Sequence, residues 1–351
     1  MQAVVYRGAN DLRVETLPVP KIGPRELLVK VAACGVCPTD IKKIHYGTVP
    51  PPRIFGHETA GTIVRVGPKV TKFRIGDRVA LHHHVPCLKC HACRHHAFAQ
   101  CEQYKRTGIN AGFEPAGGGY AEYVRVMPFV FAGVVKIPKR NSFLEGAMLE
   151  PVNTVLKAVK RLNLLRGDVV LVAGQGPIGL MFTRLLALHG ANIIASDLLD
   201  SRLNLAREFG AKWLCNPSRG QKGLSSQVDR VTRGRGLDAA VIAVPSDDVV
   251  REAQQLLRGG GQVLLFSHTR RGEQARLDLA TICVDEKDLI GSYSADVLLQ
   301  NEVARLVFRR RLNVNRLITH QFPLNQTSAA IKLAAHPTAE SLKIVVRQAG
   351  T

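Results

Sequence analysis

The sequence predicts an α/β protein in which a doubly wound parallel sheet is combined with a smaller β domain. Roughly the first 145 residues contain short alternating apolar runs, such as ELLVKVAACGV and AGTIVRVG, separated by glycine and proline turns. After residue 168, apolar strands alternate with helical segments, which is typical of a parallel sheet covered on both faces. A chain of 351 residues is also longer than one ordinary core requires, so we expect two domains.

This pattern divides the chain into three segments. Residues 1–150 are expected to form the β domain, with a cysteine-rich lobe at residues 87–101. Residues 151–294 are expected to form the parallel sheet and its helices. Residues 295–351 read as a helix followed by the strand ESLKIVVRQ, which we expect to return to the first domain.

The elements of the second domain follow from its apolar periodicity. It is expected to begin with the strand DVVLVAG at 168–174 and the helix PIGLMFTRLLALHG at 177–190. The pattern then continues through alternating strands and helices: NIIASD, DSRLNLAREFGA, DAAVIAV, a helix near 248–257, GQVLLFS and DLIGSYS.

Composition narrows the possible classes of function. Hydrophobic residues make up 46% of the chain, which is enough to bury sizeable cores and excludes a disordered protein. The formal net charge of +20 raises the question of nucleic acid. However, the basic residues are scattered, and aromatic residues are only 5%, which gives little material for base stacking. We interpret the charge as a solvated basic surface and expect no nucleic-acid partner.

The N-terminal stretch MQAVVYRGANDLRVE has no basic segment followed by an apolar run, so it predicts a strand and not a signal peptide. No apolar run approaches the roughly 18 residues that a membrane helix needs. We therefore expect a cytoplasmic protein without a membrane partner. In a reducing compartment, clustered cysteines bind metal more often than they form disulfides.

The four-cysteine lobe, residues 87–101, contains half of the eight cysteines of the chain. Cys87, Cys90, Cys93 and Cys101 have the spacing C-x2-C-x2-C-x7-C. Four thiolates close a tetrahedral shell around zinc and leave no position for substrate, so this spacing predicts a structural zinc site. An iron–sulfur cluster is disfavoured, because its usual spacing ends in Cys-Pro.

Six histidines lie in and beside this lobe: His82, His83, His84, His91, His95 and His96. Because four thiolates already fill a zinc shell, we expect these histidines to be surface residues.

The stretch AGQGPIG has the pattern G-x-G-x-x-G, with Gly174, Gly176 and Gly179 around Pro177 and Ile178. Alone, this pattern is weak. Here a strand precedes it and a helix follows, which is the context of a dinucleotide-binding loop with the pyrophosphate at the helix N-terminus.

An acidic residue supports the same interpretation. The second strand ends at Asp197, which lies 197 − 174 = 23 residues after the first glycine. A carboxylate about 20 residues on accepts hydrogen bonds from ribose hydroxyls and repels a 2′-phosphate, so NAD is favoured over NADP. Arg202 is a second candidate for the cofactor site, since an arginine suits a 2′-phosphate. We expect its side chain to be exposed on the following helix.

A second metal site is predicted by three residues of the β domain. Cys37 lies in CGVCPTDIKK, and His57 and Glu58 follow twenty residues later in FGHE. A cysteine, a histidine and a carboxylate with one open position are the ligands that a catalytic zinc ion requires. The remaining cysteines, Cys34, Cys215 and Cys283, are interpreted as structural.

Taken together, these motifs resemble the zinc-containing medium-chain dehydrogenase/reductase superfamily over essentially the whole chain. The resemblance includes CGVCPTD, GHETAGTIVRVG, the four-cysteine lobe, GGGYAEYV, AGQGPIG and SDLLDSRLNLAREFGA. The motif MLEPVNT, with Glu150 before a proline, is similar to the sorbitol and threonine dehydrogenase branch. The resemblance implies a GroES-like β-barrel catalytic domain that holds both zinc ions, and a Rossmann domain that binds NAD.

The resemblance also implies roles for individual residues. Cys37, His57 and Glu58 would be zinc ligands, and Glu150 would be a fourth ligand or hold a zinc-bound water. Thr39 would bind the substrate oxygen and start the proton relay. Many relatives have a histidine five residues after the ligand cysteine, where this chain has Lys42, and His45 is out of register.

The function expected is the reversible oxidation of a secondary alcohol, such as a polyol, cyclitol or amino alcohol, to a ketone. Zinc lowers the pKa of the bound hydroxyl group, and the nicotinamide accepts the hydride. The alternatives are an NADP-dependent carbonyl reductase of a biosynthetic intermediate and a non-catalytic NAD-binding protein. We also expect a homodimer or homotetramer, because an edge strand such as DLIGSYS can pair across a two-fold axis.

Overall fold

A computed structural model describes residues 1–82, 85–103, 117–219, 222–267, 272, 274 and 276–348; for Lys222 only the backbone is described. The chain divides into two compact units. The first unit contains Met1–Asn153 and Ala295–Thr351, and the second contains Thr154–Ser294.

The described residues contain sixteen strands: β1 Gln2–Gly8, β2 Asp11–Thr16, β3 Leu27–Gly35, β4 Arg53–Ile54, β5 Glu58–Val66, β6 Arg78–Leu81, β7 Tyr123–Val126, β8 Val135–Lys136, β9 Val169–Ala173, β10 Asn192–Ser196, β11 Trp213–Cys215, β12 Leu237–Ile242, β13 Leu257–Leu265, β14 Asp288–Gly291, β15 Ile318–Pro323 and β16 Lys343–Arg347.

Eleven α-helices are found in the same residues: α1 Pro38–Tyr46, α2 His91–Arg94, α3 Phe143–Ala147, α4 Leu149–Val159, α5 Pro177–His189, α6 Asp200–Glu208, α7 Lys222–Thr232, α8 Asp247–Leu256, α9 Leu279–Val284, α10 Gln300–Phe308 and α11 Thr327–Ala335. None of the helices in the described part of the chain is long and apolar enough to cross a membrane.

The first unit is built around β3. Its sheet has the order β15-β16-β3-β5-β6-β8, with β7 also paired to β3, and a second sheet has the order β2-β1-β4. All residues of β3 except Lys30 are buried, which is why its sequence is almost continuously apolar. Strand β16 pairs antiparallel with β3, so the C-terminal segment packs into the same sheet as the N-terminal strands.

Two apolar clusters fill this unit. Val29, Val31 and Ile63 pack in one of them with Val79 and Val124. The other contains side chains from both ends of the chain: Ala3, Val5, Tyr6, Ile54, Phe55, Tyr120, Ile344 and Val346. Burial of such side chains contributes about 25 cal/mol per Å² of apolar surface, which fixes the strands that carry polar residues at their ends.

The second unit is a six-stranded parallel sheet with the order β11-β10-β9-β12-β13-β14. The order reverses between β9 and β12, which creates the crevice where doubly wound sheets bind ligands at the carboxyl ends of their strands. The fold class predicted from the sequence is confirmed.

Some element boundaries differ from the sequence prediction. Helix α6 ends at Glu208, three residues before the end of the predicted segment, and Gly210 adopts a φ of 111° just beyond it. Strand β13 begins at Leu257, four residues before GQVLLFS. The short strand β11 was not predicted, because three residues are too few for a periodic signal. The helix α7, which has eleven residues, was also not predicted.

Candidate metal and cofactor sites

Cys37 lies where β3 gives way to α1. It is the N-cap of that helix, and Pro38 occupies the first helical position, where its missing N–H group is not needed. The side chain of Cys37 is half-buried. A thiol at this position is therefore held by the end of a buried strand while remaining accessible from outside.

His57 and Glu58 are placed beside Cys37 by strand pairing. Glu58 is the first residue of β5 and is directly opposite Gly35, the last residue of β3. Both side chains are buried, with exposed fractions of 6% for His57 and 1% for Glu58. The donor atoms of Cys37, His57 and Glu58 all lie within 4.8 Å of one another.

We refer to Cys37, His57 and Glu58 as the mixed-donor site. Sulfur, imidazole and carboxylate donors at these separations suit a zinc ion, and three protein ligands leave a coordination position for substrate. The residues present therefore fit the metal that their types and spacing predict.

Asp40 is a residue of this region to which the sequence assigned no role. Its side chain is fully buried, and its Oδ1 lies 3.1 Å from Nδ1 of His57, while Oδ2 accepts a hydrogen bond from the N–H of Gly56 at 3.2 Å. A carboxylate behind one ring nitrogen fixes the histidine and directs the other nitrogen to the metal.

The same neighbours set the proton affinity of His57. Burial alone would lower the pKa of this imidazole, but the negative charges of Asp40 and Cys37 outweigh burial and raise the pKa well above its ordinary value. The negative charges around His57 therefore favour a positive charge at this position.

Lys343 is a second residue that the sequence did not indicate. Its Nζ lies 2.6 Å from Oε1 and 2.5 Å from Oε2 of Glu58 and donates a hydrogen bond to the carbonyl of Val36 at 2.9 Å. Burial opposes its charge, but Glu58 and Cys37 raise the pKa of the ammonium group above its ordinary value. A signal in the sequence was present, since a lysine inside the apolar strand LKIVV requires a partner when buried.

Glu150 lies in the first turn of α4 and is 6% exposed. It is outside the set of donors within 4.8 Å. Burial raises the pKa of its carboxyl group to about 7, the positive charge of His57 opposes this shift, and the negative charge of Glu58 adds to it. Glu150 is therefore close enough to the mixed-donor site to respond to its charges.

The residues of the expected proton relay lie on α1. Thr39 is half-buried two residues after Cys37, and Lys42 is half-buried one turn further on. His45 is exposed, and its Nδ1 lies 3.2 Å from the side-chain oxygen of Asn10. His45 therefore lies on the side of α1 that contacts the turn at Asn10.

The four-cysteine lobe brings all four of its thiols together. Their sulfur atoms lie within 4.8 Å of one another, and Cys93 Sγ is 3.5 Å from that of Cys90. Backbone N–H groups of Lys89 and Cys90 lower the pKa of Cys87 to about 6, which favours the thiolate form of this one residue. Burial raises the pKa of Cys93 to about 12, so its thiolate form depends on a bound metal ion. The arrangement suits a closed tetrahedral zinc site.

The histidines near the lobe do not all lie at the surface. His91, His95 and His96 are exposed, as the sequence predicts. His82 is fully buried, so the expectation of a surface position is wrong for it. It follows β6, whose last three residues are buried, and its Cβ occupies the space above Gly133. His83 and His84 lie outside the described residues.

The glycine loop of the second unit connects β9 to α5. Gly174 has a φ of 89°, and a Cβ on Gly179 would lie 1.7 Å from the carbonyl oxygen of Gly174, so only glycine permits this contact between helix and strand. Gly176 is the N-cap of α5, and a Cβ there would meet open space. Pro177 and Ile178 form the first turn of that helix.

This geometry leaves the N-terminus of α5 open to an anion. The amide groups of the first helical turn and the helix dipole both favour a phosphate group at that position. The three glycines thus match the two requirements of a dinucleotide site: close helix packing and close backbone approach by a pyrophosphate.

Asp197 follows β10 and binds the glycine loop. Its Oδ2 accepts a hydrogen bond from the N–H of Gln175 at 2.6 Å, and its Oδ1 accepts one from Leu199 at 2.9 Å. Each carboxylate oxygen retains a further lone pair for a ribose hydroxyl. Arg202 lies on α6 as expected, but its side chain is half-buried and not exposed.

Comparison with known families gives matches to both units. The alcohol dehydrogenase GroES-like domain family matches residues 23–139, and the zinc-binding dehydrogenase family matches residues 177–309. Sorbitol dehydrogenase from Bacillus subtilis is 31% identical, over 99% of this chain and 97% of its own.

Solved structures resemble the whole chain as well. The 2R,3R-butanediol dehydrogenase from Bacillus subtilis has a TM-score of 0.86 at 27% identity, with 99% of each chain covered. A zinc-binding dehydrogenase from Sinorhizobium meliloti bound to NADP has a TM-score of 0.87 at 27% identity, covering 99% of this chain and 98% of its own.

Proposed function

This chain belongs to the zinc-containing medium-chain dehydrogenases, and from that premise we propose that it reversibly oxidises a secondary alcohol of a polyol to a ketone with NAD. The observation that carries the proposal is the convergence of Cys37, His57 and Glu58 within 4.8 Å. Three such ligands are the minimum that a catalytic zinc site requires, and they leave a position for substrate.

The substrate class rests on two relatives. A sorbitol dehydrogenase and a butanediol dehydrogenase both act on molecules with adjacent hydroxyl groups, and both match nearly the whole chain. Glu150 supports this choice, since the sequence EP at this position resembles the sorbitol and threonine dehydrogenase branch.

In this mechanism Cys37, His57 and Glu58 would hold the zinc ion, and Glu150 would be a further ligand or the acceptor for a bound water. When bound, zinc polarises the substrate oxygen and lowers the pKa of the hydroxyl group. Asp40 keeps the ring of His57 in its ligating orientation through the 3.1 Å contact with Nδ1.

Proton transfer is assigned to Thr39, whose hydroxyl group both accepts and donates a hydrogen bond. It takes the proton of the substrate hydroxyl and passes it toward solvent. Lys42 occupies the position where many relatives have a relay histidine, so the outer part of this path runs without an imidazole.

NAD is the cofactor we propose, and the hydride acceptor is its nicotinamide ring. The N-terminus of α5 with Gly174, Gly176 and Gly179 would hold the pyrophosphate. Asp197 would accept hydrogen bonds from the ribose and repel a 2′-phosphate. A structural relative binds NADP, so the fold alone does not decide between the two cofactors. We therefore assign the preference for NAD to Asp197.

The assembly is expected to be a homodimer or homotetramer. Strand β14 is at one edge of the six-stranded sheet, and Leu289 and Tyr293 in and after it have exposed fractions of 38% and 49%. An exposed strand edge with apolar side chains suits pairing across a two-fold axis.

The test is an assay of the zinc-loaded protein with sorbitol, xylitol, butanediol and threonine, each with NAD and with NADP. We expect oxidation of at least one vicinal diol, with NAD preferred by about tenfold or more. Asp197→Ser should reduce that preference while leaving zinc content unchanged. Turnover with NADP alone would support the carbonyl reductase alternative, and no turnover with either cofactor would contradict the proposal.

A further inference from the structure

Lys343, in the C-terminal strand β16, forms a buried ion pair with Glu58. The side chains of Lys343 and Glu58 have exposed fractions of 5% and 1%. They are separated by 285 positions in the sequence. Burial of two charges is costly, so a pair of this kind is weak evidence for stability alone.

Strand register brings Lys343 to the mixed-donor site. Strand β3 lies between β5 and β16, with Gly35 opposite Glu58 on one side and Val345 on the other. Since β16 runs antiparallel to β3, Lys343 lies alongside Cys37. The N–H of Val36 donates a hydrogen bond to the carbonyl of Ile344 at 2.9 Å, which fixes this register.

Gly35 provides the space in which the pair forms. A Cβ at this position would lie 1.8 Å from Oε2 of Glu58 and 3.1 Å from Cε of Lys343. The carboxylate and the end of the lysine chain thus occupy the volume that any other residue at position 35 would fill.

Lys343 places a positive charge beside a site that is rich in negative charge. Asp40, Glu58, Glu150 and the thiolate of Cys37 bring up to four negative charges together, against two positive charges on a zinc ion. Asp40 stands behind His57 and strengthens it as a donor, whereas Lys343 stands behind Glu58 and draws electron density away from it. Two ligands of the same ion therefore have partners of opposite charge.

We propose that Lys343 is a positioning residue that holds the carboxylate of Glu58 and keeps it a weak, exchangeable zinc ligand. This inference rests on the proposed function, because it assigns Glu58 to the catalytic zinc. With zinc bound, a weak ligand at this position would leave room for a substrate oxygen in the coordination shell of the ion. The C-terminal segment would in this way adjust a metal site whose ligands come from the first 150 residues.

The experiment compares Lys343→Met with Lys343→Arg in the full-length protein. Without the cation, Glu58 is left buried and uncompensated, so a divalent ion becomes its only partner. We expect Lys343→Met to release zinc to a chelator at least about tenfold more slowly than the natural protein and to have a lower kcat. Lys343→Arg should restore the natural release rate, since it restores the charge.

Cobalt substitution gives a readout independent of activity. The visible absorption of Co²⁺ in the mixed-donor site should shift in Lys343→Met and remain near the natural spectrum in Lys343→Arg. Unchanged or faster metal release in Lys343→Met would overturn the proposal, and so would an unchanged cobalt spectrum. If Lys343→Met does not fold, Lys343→Gln gives the same comparison, and slower release is again the required result.

Failure of the proposed function has a different signature. If the natural protein binds no Co²⁺ at Cys37, or binds it but oxidises no alcohol, the assignment of the enzyme is wrong whatever Lys343 does. If the natural protein is active and Lys343→Met releases zinc at the natural rate, only the role of Lys343 is wrong.

Discussion

The two metal-binding clusters of the first unit obtain their ligands in different ways. The four-cysteine lobe takes all its donors from residues 87–101, on and around the single turn of α2. The mixed-donor site takes Cys37 from the start of α1 and His57 and Glu58 from the start of β5, and it is completed by Asp40 and Lys343. A local cluster needs only its metal to form, whereas a distributed one requires the sheet to be in register.

The two clusters also differ in the coordination that they offer to a zinc ion. Four thiolates leave a zinc ion with no free position, which makes the lobe a structural element. The mixed-donor site has three donors, one of which is the half-buried thiol of Cys37, so a zinc ion held there would keep a position for a ligand. The comparison indicates that the number of protein ligands decides whether a zinc ion keeps a free coordination position.

The largest expected effect comes from Cys37→Ala. Removal of one of three ligands should lower kcat by about 1000-fold or more, because the metal supplies several kcal/mol of transition-state stabilisation. Zinc content measured by atomic absorption should fall by one ion per chain, while the circular dichroism spectrum stays unchanged. Substantial residual activity in this variant would falsify the role of the mixed-donor site.

Asp40→Asn tests whether a distributed site depends on residues that do not bind the metal. The amide keeps the shape of the side chain but loses the charge that faces His57, and we expect a loss of about 10- to 100-fold in zinc affinity or in kcat/KM. Competition with a fluorescent zinc indicator measures the affinity directly. Asp11→Asn is a matched control, because Asp11 is a surface aspartate paired with Arg13. Equal behaviour of the two variants would remove Asp40 from the site.

The same contrast explains what the sequence could and could not predict. The spacing of four cysteines is a local property, and the lobe follows from it directly. Cys37, His57 and Glu58 were predicted because their residue types are those of a catalytic zinc site and their motifs resemble a family. Lys343 was missed, since its meeting with Glu58 depends on the pairing of β16 with β3 across 285 positions.

His82 illustrates the same limit for burial. In the sequence it is the first of three adjacent histidines, a pattern that suggests an exposed polar stretch. In the structure it continues the buried side of β6 and lies against Gly133, a residue 51 positions away (133 − 82). Which face of a strand end is covered depends on the chain that packs over it, and this is not encoded locally.

Cys93→Ser should affect stability more than catalysis. Cys93 is one of the two buried cysteines of the four-cysteine lobe, and loss of its thiolate would release the zinc ion that organises the loop. We expect the Tm to fall by about 5 °C or more. The kcat should remain within about tenfold of the natural value, because the donors of the mixed-donor site come from other elements. A loss of activity as large as that of Cys37→Ala would show that the two sites are coupled.

The smallest effect is expected from removing the exposed histidines beside the lobe. The ring centroids of His91 and His95 are 4.5 Å apart, and both side chains are exposed, so the two rings suit weak binding of a metal ion at the surface. If the four thiolates alone hold the structural zinc, the double variant His91→Ala with His95→Ala keeps its zinc content and changes kcat by less than about twofold. A fall in zinc content by a whole ion would instead mean that an imidazole replaces one of the thiolates. The lobe would then have a mixed donor set, and the contrast between the two clusters would no longer rest on donor type.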